Sequence, residues 1–452
     1  MLKKYVFQDN KIHHYSWGGG GGSNKHSVQE LKDAKSLQSS DNLIIKGENL
    51  LVLSKLIPFF KNKIKCIYID PPYNTGNCNF DYKDSLESEA YLSCIKKRLI
   101  LARELLKDDG VIFVQCDDNE MAEIKVLMDK IMGRKNFVSN IVYLKGNAQN
   151  NAKTIQKNQE YILTYAKDIK MHPIKKLLQE KIVKVYKDEA TNRFYYEGAS
   201  LTMGGGEAGE LTKRPNLGYT FYFNPQTKDI KPVMDYDKTL LISNKHDIYK
   251  EDKELILKGY IPIRPTKMGS SFGRWKWSIE KAKAELDRIL IKKNKNGYTV
   301  LCKEWVAKDD VKKKSDKNFY ACIKKPLAPK SIIDFVGSGV GTIENKALFN
   351  AKTFSLPKPE KLIWHIINIS TEKRDIVLDF YLGSGTTCAV AHKMGRQYIG
   401  IEKEDYIKTV AVSRLIKVLE GEQGGISRIV GWKGSGSFIY CEIDDEKIVD
   451  KL

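Results

Sequence analysis

The sequence predicts an α/β fold interrupted by a large insertion. Two stretches, 41–144 and 331–425, alternate apolar strand-like runs with helical ones, and the second carries a glycine turn between strand and helix. Between them, 145–330 is basic and aromatic and has a different composition. At 452 residues the chain exceeds the usual size of one domain, so two cores, or one core with an insertion, are expected.

The first forty residues are polar and read as an arm. Trp17 is followed by Gly18 to Gly22 and Ser23, a run that neither helix nor strand tolerates. It fits an engineered linker or a natural loop that closes over a ligand, and it holds no GKS or GKT phosphate signature. In the first α/β block, an apolar strand at 65–70 precedes a helix at 89–107, which Asp108, Asp109 and Gly110 stop before a strand at 110–115. The second block reads strand 376–380, glycine turn, helix 386–394, strand 397–401, the order of a mononucleotide-binding unit. A C-terminal segment, 426–452, closes the chain.

Charge points to a polyanionic partner. The chain has 76 Lys and Arg against 56 Asp and Glu, a net +20. Segment 145–330 holds 39 of those cations and 22 of the acids, which leaves +17 of the +20 there, together with 20 aromatic residues. The runs 219–223 and 274–277 put aromatics beside Arg274 and Lys276. Cations that track phosphates beside rings that stack on bases suit a nucleic-acid surface. The eight cysteines are scattered, with no CxxC pair and no histidine set to complete a zinc site, so unpaired thiols of a reducing cytoplasm and no metal are expected. No apolar run is long enough to cross a bilayer and the start lacks a signal peptide, so a cytoplasmic protein without a membrane partner is expected.

The chemistry concentrates in two turns. After the strand at 65–70 come Asp70, Pro71, Pro72 and Tyr73. Each proline fixes its own backbone angle and forces the residue before it into an extended form, so Asp70 and the Pro71 carbonyl are held at the strand's carboxyl end, where open α/β sheets bind ligands. An aromatic amine is a poor nucleophile because its lone pair is delocalised. Two acceptors, the Asp70 carboxylate and the Pro71 carbonyl, would bias it towards a tetrahedral nitrogen while Tyr73 stacks on the ring.

Two glycine turns compete for a cofactor, 334–339 and 379–387. The second follows the stronger strand, opens an amphipathic helix, and has Glu402 19 residues after Gly383, suitably spaced to accept ribose hydroxyls. Its candidate residues are Asp379, Phe380, Gly383, Ser384, Gly385, Thr386, Thr387 and Glu402. The first turn reads as a loop that leads into Pro357, Lys358 and Pro359. The one GxGxxG match, Gly204 to Gly209, follows no strand, and no Walker sequence is present, so hydride transfer and ATP hydrolysis are unsupported.

The Asp-Pro-Pro-Tyr sequence at 70–73 resembles the catalytic motif of amino-group DNA methyltransferases, whose adenine-specific branch carries aspartate first. The glycine turn resembles the S-adenosylmethionine motif of the same family, and Pro357, Lys358 and Pro359 its other cofactor-contacting segment. Catalytic turn, basic segment and cofactor turn come in the order of the beta group, which includes modification subunits of type III restriction systems. Gly47 to Asn49, 214–218, 263–265 and 434–440 also look like those subunits, which adds Arg214 and Arg264 to Arg274 and Lys276 as candidate DNA contacts.

The resemblance implies an S-adenosylmethionine-dependent methyltransferase fold, Rossmann-like, with a mixed sheet, helices on both faces, and 145–330 inserted as a target-recognition domain. It implies methylation of adenine N6 in double-stranded DNA after base flipping. Methylation of cytosine N4 and an inactive DNA-binding protein are the alternatives. Such subunits continue beyond the last match, whereas this chain ends at Leu452, so a standalone enzyme or a shortened subunit is expected. Association with a restriction subunit is then doubtful and a homodimer stays open. Cys116 reads as a buried strand-end thiol, and His13, His14 and His365 as structural.

Overall fold

The computed structural model describes residues 12–18, 25–31, 41–74, 88–146, 155–204, 209–242, 248–266, 271–295, 297–315, 318–351 and 353–443. They fall into two compact units, 1–177 with 327–452, and 178–326.

The first unit is built on an eleven-stranded mixed sheet. Its order is Ile332–Ile333, Phe137–Leu144, Gln159–Ala166, Leu106–Cys116, Ile64–Ile69, Ile376–Asp379, Gln397–Glu402, Leu43–Lys46, Ser437–Glu442, Ile12–Gly18, Lys25–Leu31. The six strands from Leu106–Cys116 to Ser437–Glu442 run parallel. Gln159–Ala166 lies antiparallel between Leu106–Cys116 and Phe137–Leu144.

Strand alternation sends successive side chains to opposite faces, and both faces are covered. One face packs Ile67, Ile69, Ile112 and Val114 against the helices Asn49–Phe60, Ser88–Leu105 and Met121–Met128. Ser88–Leu105 presents Tyr91, Ile95, Leu99 and Ala102 at helical spacing. The other face packs Cys66, Tyr68, Phe113 and Val377 against Glu360–Ser370, Thr386–Lys393 and Ser413–Leu419. Each fully buried side chain of this kind contributes about 1.5–3 kcal/mol. Among the described residues no helix is long and apolar enough to cross a membrane.

Three expectations change. The N-terminal arm contains two strands, Ile12–Gly18 and Lys25–Leu31, which extend the sheet from Ser437–Glu442, with Tyr15 stacked on Phe438 at 4.8 Å. Gly18 ends the first of these strands, and Gly19 to Gly22 lie outside the described residues. The inserted unit spans 178–326 where 145–330 was expected, because Gln159–Ala166 hydrogen-bonds into the main sheet between Leu106–Cys116 and Phe137–Leu144; a composition average could not register that pairing. The turn at 334–339 leads into a helix, Gly339–Phe349, before the chain reaches Pro357.

The second unit holds a six-stranded sheet, ordered Ile289–Asn294, Gly297–Val306, Phe194–Ser200, Leu177–Lys187, Asn318–Leu327, Val311–Ser315, and a three-stranded one, Ile230–Val233, Thr220–Phe223, Ile261–Ile263. Its core is aromatic. Tyr219, Phe221 and Trp275 are buried, with the Trp275 ring 5.1 Å from Phe221 and its Nε1 donating to the Tyr219 carbonyl at 2.6 Å. These rings belong to the interior and not to a stacking surface.

Candidate active site

The strand Ile64–Ile69 delivers Asp70 at the carboxyl edge of the parallel sheet, beside Asp379 at the end of Ile376–Asp379. A cavity of about 330 Å³ opens there. Asp70, Pro72, Pro357 and Lys358 line it together with Asp379, Phe380, Gly383, Ser384, Thr386, Thr387 and Glu402. Residues from opposite ends of the sequence thus share one chamber, while the turn at 334–339 is absent from its wall. Pro71, Tyr73, Gly385 and Pro359 are not on the lining. Pro71 is buried, Pro359 caps the helix Glu360–Ser370, and Gly385 packs where a Cβ would come within 3.0 Å of Ala411 Cβ.

The glycine turn depends on backbone freedom. Gly383 and Gly385 have φ of +52° and +77°, in the left-handed region that side chains rarely adopt. Glu402 reaches back across the turn: one oxygen accepts the Gly383 N–H at 3.0 Å, the other the N–H groups of Lys403 and Glu404 at 2.9 and 3.2 Å. Burial raises its carboxyl above the usual range despite those donors. Burial also pushes Asp379 up to about 7, against donors that include the Tyr381 N–H at 3.0 Å. Beneath the turn, buried Arg414 donates to Thr386 Oγ1 at 2.7 Å and pairs with buried Glu360 at 3.4 Å.

Asp70 sits in a dense polar cluster. Tyr73 donates its hydroxyl to Asp70 Oδ1 at 2.6 Å, and the same hydroxyl lies 3.1 Å from Glu160 Oε2. Lys358 Nζ is 3.1 Å from Asp70 Oδ2, 3.2 Å from Glu160 Oε2 and 3.0 Å from the Tyr73 hydroxyl. Gln115 Nε2 donates to Glu160 at 2.5 Å and in turn accepts from Tyr68 at 2.5 Å. Burial raises the Asp70 carboxyl; Lys358 pulls it down, and Glu160 adds to the rise. For Glu160, Lys358 and Lys145 outweigh burial and hold the carboxyl below its usual value. Lys358, although buried, is raised by Asp70 and Glu160 together.

Several residues of this site escaped sequence reasoning. Glu160 and Gln115 carried one signal: each is a polar residue at a strand position whose neighbours two along, Ile162 and Phe113, are buried and apolar. Arg98, which pairs with Glu48 and Asn49, and Asn49, which donates to the Phe380 carbonyl at 2.8 Å, meet only through tertiary contact. Cys116 is a buried strand-end thiol, as expected. His13 stacks on Tyr440 and His365 meets Phe335 edge to face, while the His14 side chain lies outside the described residues.

In the second unit the four cations singled out as DNA contacts differ in availability. Arg214 and Lys276 are exposed, though Lys276 donates to the Ser200 carbonyl at 2.7 Å. Arg264 is neutralised by Glu251 at 2.9 Å and stacked on Tyr249, and Arg274 donates to the Trp275 carbonyl. A separate cavity of about 480 Å³ is lined by Lys187, Arg193 and Lys308 with Phe194 and Trp305, the Arg193 guanidinium lying 4.0 Å over the indole.

The family profile described as DNA methylase (N6_N4_Mtase) matches residues 64–413. The chain is 37% identical over 450 residues to a Haemophilus influenzae protein named "Probable type III restriction-modification enzyme HindVI Mod subunit", covering 93% of this chain and 56% of that one. It is 32% identical over 410 residues to the type III restriction-modification enzyme EcoPI Mod subunit of Escherichia phage P1, covering 82% and 58%. The chain therefore spans little more than half the length of these two relatives. Type II methyltransferase M.KpnI of Klebsiella pneumoniae is 30% identical over 381 residues, covering 81% of this chain and 80% of that one. Since the family match begins at the first residue of the strand that delivers Asp70 and runs beyond Glu402, it takes in both walls of the cavity, and the chain belongs to the DNA methylase family.

Proposed function

We propose that this chain is a site-specific DNA methyltransferase that moves a methyl group from S-adenosylmethionine to the exocyclic N6 amine of adenine in double-stranded DNA, within or derived from a restriction-modification system. The observation that carries the reading is the single cavity in which Asp70 faces the glycine turn and Glu402. The names of the relatives, Mod subunits and a type II methyltransferase, support it.

The donor set fits the cofactor. Glu402 and Asp379 offer carboxylate acceptors to ribose hydroxyls and a cationic ligand, and the left-handed glycines let backbone approach closely. Asp379, Phe380, Gly383, Ser384, Thr386, Thr387, Glu402 and Pro357 would hold it. When bound, S-adenosylmethionine supplies the methyl carbon on a positively charged sulfur that leaves with the bonding electron pair. Asp70 and the Pro71 carbonyl would accept hydrogen bonds from the two amine protons, and the proton shed by the methylated nitrogen would pass to the Asp70 carboxylate. Tyr73 would turn its ring onto the base. Residues 178–326 would act as the target-recognition domain.

The test is methyl transfer from labelled S-adenosylmethionine to unmethylated plasmid DNA by the purified chain, followed by nucleoside mass analysis. N6-methyladenine is expected. N4-methylcytosine would move the assignment to the other amine, and binding without incorporation would leave a DNA-binding protein. Asp70→Ala should abolish transfer and leave DNA affinity within about threefold, since its role is confined to the reacting nitrogen. A restriction subunit or a second copy of the chain as partner is tested by co-purification and sedimentation.

A further inference from the structure

We infer that Lys358 and Glu160 are positioning residues for the Asp70 carboxylate, a role that rests on the reading above and departs from the cofactor contact expected for Lys358. Asp70 must be an ionised acceptor when the amine arrives, yet burial favours its neutral form. Lys358 Nζ, 3.1 Å from Oδ2, supplies the opposing charge and fixes the orientation of the carboxylate.

Glu160 sets how much of that charge Asp70 feels. It sits 3.2 Å from the same ammonium and is itself held by Gln115 at 2.5 Å and by Lys145 at 3.6 Å. It also receives the Tyr73 hydroxyl, which bridges Glu160 and Asp70 Oδ1. An adenine amine that takes Oδ1 must displace that hydroxyl, which frees the Tyr73 ring to stack while its oxygen keeps Glu160 and Lys358 as partners. The lysine stays on Oδ2 throughout, so charge and orientation outlast the exchange.

Among the described residues, the groups that interact electrostatically with Asp70 include Lys358 from the segment before Glu360–Ser370, Glu160 from Gln159–Ala166, Tyr68 from its own strand, Tyr73 from its own turn, Tyr143 from Phe137–Leu144, Cys116 from Leu106–Cys116, and Asp379 from Ile376–Asp379. Burial raises the tyrosines and the thiol, so they stay neutral through the working range; Asp379, pushed up to about 7, is common to every variant compared.

The two residues act on Asp70 with opposite sign, which a merely structural role does not require. In single-turnover transfer at saturating cofactor and plasmid DNA, Lys358→Gln should move the acid limb of the rate profile upward by about one pH unit or more, since an opposite charge within 4–6 Å lowers a carboxyl by about 1–3 units. Glu160→Gln should move it downward by up to about one unit. Lys358→Arg should return the limb to the wild-type position. Calorimetry should find S-adenosylmethionine affinity in Lys358→Gln within about threefold of wild type. Limbs that stay in place or move together overturn the proposal, as does a Lys358→Gln variant whose loss lies wholly in cofactor affinity. If Lys358→Gln does not fold, the downward shift in Glu160→Gln alone decides the matter. A wild-type chain that transfers no methyl would instead defeat the function on which this rests.

Discussion

Asp379 and Glu402 flank the glycine turn, and burial disfavours the charged form of each. For Asp379 the consequence is measurable. Its carboxyl stands at about 7 in the fold against a usual value near 4, so between those limits the folded chain keeps a proton that the unfolded chain has released. Stability from this residue is therefore greatest at low pH and is lost as pH rises through about 7. Asp379→Asn removes the ionisation, and its thermal midpoint should gain on wild type from pH 5 to about pH 7 and then level off. Parallel curves would show that Asp379 does not titrate in that range. The residue was legible in the sequence as the strand-end acid before a glycine turn; its titration was not, since burial depends on what packs around it.

Among the elements, the helix Gly339–Phe349 was the least legible. Its opening Gly-Val-Gly-Thr has poor helix propensity, so the segment read as part of a loop. Tertiary contact explains the glycine at 341. A Cβ there would stand 1.9 Å from the Pro357 carbonyl oxygen and 2.9 Å from the Lys358 carbonyl carbon. The helix thus abuts the segment that carries Lys358 into the cavity. Gly341→Ala, which improves helix propensity, should nevertheless lower methyl transfer about tenfold or more by displacing that segment, with helix content by circular dichroism unchanged. Wild-type transfer in this variant would show that the segment accommodates the methyl group without moving Lys358. By contrast, the strands at Ile64–Ile69 and Ile376–Asp379 were legible because short apolar runs bounded by turn residues suit strands covered on both faces.

Across the whole molecule, charge is less segregated than the sequence windows suggested. Residues 178–326 hold 31 Lys and Arg against 20 Asp and Glu, or +11 of the net +20. Within that unit, the buried aromatics form the core, and Arg193, Lys187 and Lys308 ring the cavity beside Trp305 and Phe194. If these cations meet phosphate, replacing Arg193 and Lys308 by alanine should flatten the dependence of log affinity on log salt by about 0.9 per lost contact for duplex DNA. Fluorescence anisotropy between 50 and 200 mM salt would measure it, on the order of a phosphate-tracking protein's working range. An unchanged slope would show that Arg193 and Lys308 make no phosphate contact.

The sequence by itself determined the two turns, the order in which they come, and the net positive charge. Prolines, glycines and net charge act locally or additively, so they can be read without coordinates. Only the tertiary structure decided that Asp70 and Glu160 share the ammonium of Lys358, that the N-terminal residues extend the sheet, and that Tyr219 and Trp275 are interior. Those facts depend on contacts between residues far apart in the chain, 288 positions for Asp70 and Lys358 and 429 for Ile12 and Cys441, and chain proximity carries no information about them.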